Sequence, residues 1–167
     1  MNPQPPAAPA RLVSGGQTGV DRGALEAAIA CGVPHGGWCP AGRRAENGRI
    51  PERFALVETA SDDYAVRTEA NVRDSDATLI LCRGGPSGGT LLTAQSAERC
   101  GRPLLVLPLD EPVPADRVRR WVADHAVRVL NVAGPRESDC PGAETAAFAR
   151  VCEVFAACGL PSAPPRG

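Results

Sequence analysis

The 167-residue chain predicts an α/β fold, a mainly parallel sheet with helices on both faces. Three observations carry this. Short apolar runs alternate with helical patterns along the chain. One run, Ala77-Thr78-Leu79-Ile80-Leu81-Cys82, is apolar almost throughout, as in a strand buried on both faces. Two of the strands lead directly into glycine-rich loops that open helices.

In chain order, residues 11–14 read as a strand, followed by the Gly-rich stretch 15–19. A helix over 23–31 takes its core stripe from Leu25, Ala28 and Ile29, and Gly32 suits the position just past its end. Residues 33–61 break the rhythm with a long Gly- and Pro-rich segment holding Trp38 and four arginines, Arg43, Arg44, Arg49 and Arg53; a connection this long points to function. A helix follows at 62–74, with Arg67, Asn71 and Asp74 on one face, Tyr64, Thr68 and Val72 nearer the other, and Glu69 spaced to pair with Arg73. After the strand at 77–82, the loop Gly84–Gly89 opens a helix from Thr90 to Cys100. Next come a strand at 103–108, a helix at 115–125 burying Val118, Trp121, Val122 and His125, a strand at 127–132 and a last helix at 142–158. The Pro/Ala-rich ends, 1–10 and 161–167, read as disordered tails around a single domain at 11–160.

Composition excludes several classes. Eighteen basic against nineteen acidic residues leave a net charge of -1, which argues against a nucleic-acid or polybasic membrane-surface partner. No apolar stretch approaches the ~20 residues that span a bilayer, and the first ten residues lack the pattern of a signal peptide. All the basic residues are arginine, so neither a Schiff-base nor a P-loop lysine is available. The seven cysteines are odd in number and no pair has C-x-x-C spacing, so they read as reduced thiols of a cytoplasmic protein, with no metal site.

The chemistry points to a small anionic ligand. Each Gly-rich loop sits between a strand and a helix, where backbone amides and a helix N-terminus bind phosphate or another anion. If the strand order is flavodoxin-like, the first and third strands are neighbours and the two loops meet where the order reverses. The candidate residues are Gly15, Gly16, Gln17, Thr18, Gly19 and Asp21 in the first loop, and Ser87, Gly88, Gly89 and Thr90 in the second. Arg67 and Asn71 on the helix, Arg136 after the strand at 127–132, and Trp38 and Arg43 in the insertion complete the set. Neither loop has the G-x-G-x-x-G or G-K-[ST] spacing of a standard nucleotide motif. Asp21 and Glu46 are the best-placed carboxylates, each equally suited to orienting an arginine. No catalytic constellation emerges.

These motifs resemble the molybdenum cofactor carrier family. The resemblance runs through Ser14-Gly15-Gly16-Gln17-Thr18-Gly19-Val20-Asp21-Arg22, Gly36-Gly37-Trp38-Cys39-Pro40, Gly42-Arg43-Arg44-Ala45-Glu46, Arg67-Thr68-Glu69 with Asn71, Gly88-Gly89-Thr90 and Gly134-Pro135-Arg136-Glu137-Ser138. Ala41 departs from it, where a lysine is expected. More distantly the chain resembles the Rossmann-like cytokinin-activating phosphoribohydrolases, whose P-G-G-x-G-T-x-x-E motif carries a catalytic Glu; that position is Thr93 here. The resemblance implies a three-layer Rossmann-like fold and a carrier that binds and protects the molybdenum cofactor, or molybdate, without transforming it. It also implies a homodimer or homotetramer that exchanges its ligand with molybdoenzymes or cofactor-synthesis proteins, and Trp38 covering the pterin. The alternatives are a nucleotide 5′-monophosphate N-glycosidase and a nucleotide-ligand sensor.

Overall fold

The computed structural model describes residues 7–163. Five parallel strands form the central sheet: β1 (Arg11–Val13), β2 (His35–Gly36), β7 (Ala77–Cys82), β8 (Leu104–Pro108) and β9 (Val129–Ala133), in the order β2-β1-β9-β7-β8. The helices are α1 (Val20–Cys31), α2 (Tyr64–Arg73), α3 (Gly88–Arg99), α4 (Ala115–Asp124) and α5 (Ala143–Ala157). The predicted Rossmann-like α/β class is the one observed.

Strand alternation sorts the layers. Leu12, Leu79, Leu81, Leu107, Leu130 and Val132 point to one face, where they join Leu25, Val122, Val151 and Phe155 of α1, α4 and α5 in the main core. The alternate residues Thr78, Ile80 and Asn131 face α2 and α3, which pack on each other. Burial of each large apolar side chain contributes about 2–3 kcal/mol. α1 and α5 pack closely at Gly23, where a Cβ would stand 2.3 Å from the Glu144 carbonyl oxygen.

The expected strand order is replaced by another. β1 and β7, which carry the two Gly-rich loops, are not neighbours, because the last strand, β9, lies between them and pairs in parallel with both. Counted cyclically from β9, the sheet reads 3-2-1-4-5, the doubly wound order, with its reversal between β9 and β7.

Several element ends also shift. α1 begins at Val20 rather than Gly23, and Ile29 is exposed while Ala24 and Ala27 are buried. α4 ends at Asp124, so His125 is its exposed C-cap and Trp121 is only half-buried. Glu69 and Arg73 pair with Arg99 and Asp74 rather than with each other. Of the expected tails, 1–6 and 164–167 lie outside the described residues. Pro9 is buried, however, and Ala8 and Ala163 pack against the core.

The insertion forms β3 (Trp38–Cys39) paired with β6 (Val57–Glu58), and a hairpin of β4 (Arg44–Ala45) and β5 (Gly48–Arg49). Arg43 is its internal strut. The side chain is buried, and its guanidinium donates to the carbonyls of Ile50, Pro51, Leu56 and Phe54. His35 ties the segment to β2, its Nε2 accepting from the Ala55 amide at 3.1 Å.

Two stability tests follow. Gly23→Ala is expected to cost about 2 kcal/mol in urea unfolding by forcing α1 off α5. Burial, helped by Arg11, pulls the His35 pKa below its ordinary 6.5. The folded ring therefore binds fewer protons than the unfolded one, and its contribution is complete above about pH 6.5 and lost as pH falls from there. The urea midpoint is expected to drop between pH 7 and 5, and to drop less in His35→Gln.

Candidate functional site

Three loops leave the carboxyl ends of β1, β7 and β9 on the side facing α2. Between them lies a cavity of about 220 Å³. Nine of the fifteen expected residues line it: Gly15, Gln17 and Asp21 from the first loop, Arg67 and Asn71 from α2, Ser87, Gly89 and Thr90 from the second loop, and Arg136 after β9. The two Gly-rich loops thus share one crevice although their strands are not adjacent. The loop that follows β9 forms its middle wall.

The wall formed by α1 and α2 is built on one ion pair. Arg67 Nη1 donates to Asp21 Oδ2 at 3.0 Å, both side chains being nearly buried. The guanidinium lies so close to Gly15 that a Cβ there would stand 1.7 Å from Nη1. The same carboxylate oxygen accepts the Gln17 amide at 3.1 Å. Burial pushes the Asp21 carboxyl above its ordinary pKa, with Arg67 and the Gln17 amide pulling the other way.

A second polar seam joins the loops after β1 and β9 through the hairpin turn. The Glu46 carboxylate accepts from the Thr18 hydroxyl and from both the amide and the hydroxyl of Ser138. The hydroxyl bonds from Ser138 and Thr18 hold its carboxyl below the ordinary carboxylate range. Gln17 Oε1 accepts the amides of Thr18 and Glu46, each at 3.0 Å. Arg136 is held near the crevice by Asp139 at 3.0 Å and Glu46 at 3.6 Å, and stays 43% exposed.

The helix ends facing the crevice differ in what they can accept. α5 is closed: the Glu137 carboxylate accepts the Gly142 and Glu144 amides. α1 carries Asp21 in its first turn, and its Val20 amide donates to the Pro135 carbonyl. α3 has neither an acidic residue in its first turn nor a side-chain cap. Among the described residues the Gly88 and Gly89 amides have no hydrogen-bond partner, and neither has the Thr90 hydroxyl. This is the end whose dipole and free donors suit an anion.

The glycines give the same answer. In the first loop, Gly15, Gly16 and Gly19 are crowded by Arg67, by Ile50 and Leu56, and by the Pro135–Glu137 backbone, so the fold itself requires them. In the second, Gly85 and Gly89 have ordinary φ and open space where a Cβ would stand. Nothing among the described residues requires glycine at those two positions, whereas a ligand seated on the backbone would.

Six expected residues stand outside the cavity lining. Gly16, Thr18 and Gly19 serve contacts within the protein, and Gly88 sets the turn into α3 with φ 53°. Arg43 is the buried strut already described, and Arg44, Arg49 and Arg53 are held by Tyr64 and Asp62, by Glu52, and by Glu26 and Phe54. Trp38 lines a different cavity, of about 270 Å³, with its indole N–H on Asp74 at 2.9 Å. Asn71 does reach the crevice, but its amide holds the Trp38 backbone, accepting from the nitrogen at 2.7 Å and donating to the oxygen at 2.9 Å. Sequence reasoning missed Asn131, inside a strand, and Tyr64 and Thr68, assigned to the far face of α2; all three line the crevice.

Comparison with known proteins now adds to this geometry. Residues 12–155 match the circularly permutated YpsA SLOG family. The chain belongs to that family. The strand order that becomes doubly wound when counted from β9 is the structural form of such a permutation. A crystal structure at 1.45 Å from Syntrophus aciditrophicus SB, named "Putative molybdenum carrier protein", is 44% identical, with a TM-score of 0.83, covering 91% of this chain and 97% of that one. It supports the family resemblance drawn from the loop motifs. No curated protein gives a significant match.

The buried pair sets a test. Arg67→Met strands the Asp21 carboxylate and is expected to cost about 3 kcal/mol in urea unfolding. Adding Asp21→Asn to that variant is expected to restore at least half of the loss.

Proposed function

We propose that this protein is a carrier of the molybdenum cofactor and holds an anionic group of the cofactor on the first turn of α3. The observation that carries this reading is the open start of α3. Among the described residues two amides and the Thr90 hydroxyl have no partner, no acid stands in the first turn, and two glycines leave space that the fold does not use. Arg67 and Arg136 line the same crevice, and although each is paired with a carboxylate, the guanidinium N–H groups not taken up by Asp21, Tyr64 and Asp139 are donors for a bound anion. Membership of the family, and a 44% identical relative whose name refers to molybdenum carriage, support the choice of ligand.

The residues fit a cofactor with an anionic terminus. Backbone amides and arginines would bind the phosphate or oxo-anion, and the walls of the cavity would limit the access of water to the rest. Thr93, in the position where the phosphoribohydrolase motif has its Glu, lines the crevice but offers no carboxylate, and its hydroxyl donates back to the Gly89 carbonyl at 3.2 Å. Holding the ligand, rather than cleaving it, is the role these side chains support.

The direct test is ligand content after low-oxygen purification from a host that makes the cofactor. Oxidised extracts are expected to yield the fluorescent pterin derivative with about one molybdenum per chain. Molybdenum without pterin would instead indicate an oxyanion store, and a nucleotide alone would overturn the reading. Gly89→Ala is expected to melt at or slightly above the wild-type temperature, because Ala is the better helix residue. The same variant is expected to retain less than a tenth of the bound pterin. Arg136→Ala is expected to weaken binding by about 1–3 kcal/mol.

A further inference from the structure

At the floor of the crevice stands a polar residue that the anion reading leaves unexplained. Asn131 is the third residue of β9, in the run Val129-Leu130-Asn131-Val132-Ala133, and is 2% exposed. It pairs in register with Val13 of β1 and Thr78 of β7, in the middle of the sheet. Its Nδ2 donates to the Thr78 hydroxyl at 3.2 Å. Its Oδ1 has no partner among the described residues, yet it is not sealed in the interior, since the residue lines the cavity. Turning the amide over would let Thr78 donate to Oδ1 and would leave Nδ2 unpaired instead. In either orientation one polar atom of the amide remains for a bound molecule. A buried polar group left half-satisfied in a strand costs stability that an apolar residue would not.

We infer that Asn131 reads the hydrogen-bonding edge of a nitrogen heterocycle whose anionic group occupies the first turn of α3. The inference rests on the anion reading of that helix end and narrows the ligand class: a heterocyclic phosphate, not a bare oxyanion. An inorganic oxyanion is satisfied by the amides and arginines at the mouth and has no use for a buried carboxamide below them. A lactam-type edge, which carries both N–H and C=O, answers either orientation of the amide. Pterins and guanine share that edge.

The experiment compares three probes on the purified protein by calorimetry: orthophosphate, GMP and a phosphorylated 6-alkylpterin. Wild-type protein is expected to bind at least one heterocyclic phosphate ten or more times more tightly than orthophosphate. A preference for the pterin over GMP assigns the source of the edge. Asn131→Leu is expected to remove most of that advantage while leaving the orthophosphate affinity within twofold. Asn131→Ser, which keeps a hydroxyl near Thr78, serves if the leucine variant does not fold, and is expected to show the same split. Equal binding of all three probes by wild type, or equal loss of all three in the folded variant, overturns the role of Asn131 alone. Failure of all three probes to bind wild type overturns the anion reading at α3 and this inference with it.

Discussion

The position of β9 at the centre of the sheet is the constraint on which the rest depends. Its parallel pairing with both β1 and β7 joins two strand pairs that otherwise share no hydrogen bond. Because it sits at the reversal of the strand order, its trailing loop rises between the two Gly-rich loops, and the three enclose a crevice where two would have left an open edge. Gly134 allows this junction: a Cβ there would stand 2.3 Å from the Leu81 carbonyl oxygen and 2.6 Å from Val20.

The walls of that crevice are held by charge arranged so that little of it is left over. Asp21 neutralises Arg67 inside the protein, Glu46 gathers hydrogen bonds from two loops, and Glu137 closes the start of α5. Each of these carboxylates acts on a group of the protein itself. Their combined effect is selective. Among the described residues one helix end, the start of α3, remains polar, unpartnered and free of acid in its first turn, with the paired arginines Arg67 and Arg136 lining the same crevice. The insertion contributes from outside the lining: Arg43 folds it, and Glu46 on its hairpin turn fastens it to the loops.

Much of the fold was legible in the sequence, because periodicity reports burial directly. Val118 and Val122 marked α4, and the unbroken apolar run at 77–82 marked a central strand. The strand order was not legible, since it depends on where the last strand inserts and no local pattern encodes that. At the candidate site, glycine loops and arginines pointed to residues that share one crevice but not to the division of labour among them. An arginine that lines a crevice and one that braces carbonyls, such as Arg43, look alike in a motif. Asn71 was correctly placed on α2, but its amide bonds a backbone segment 33 positions away, a partner that only tertiary structure supplies. Asn131 offered only a faint signal, one amide in an apolar strand, and its opening onto the crevice is visible only in the tertiary structure.

The central strand also has a consequence for how the chain assembles. β9 follows β8 by twenty residues in the sequence, yet it must lie between β1 and β7. During synthesis β2-β1 and β7-β8 can each pair as they emerge, but the two halves have no shared edge until residues 129–133 leave the ribosome. Their inner edges stay open for that whole interval, and closure links residues more than a hundred positions apart, the class of contact that forms slowly. A chain of this topology therefore completes its sheet and its crevice in the same step, so a nascent molecule has no enclosed crevice until residues 129–133 have been made.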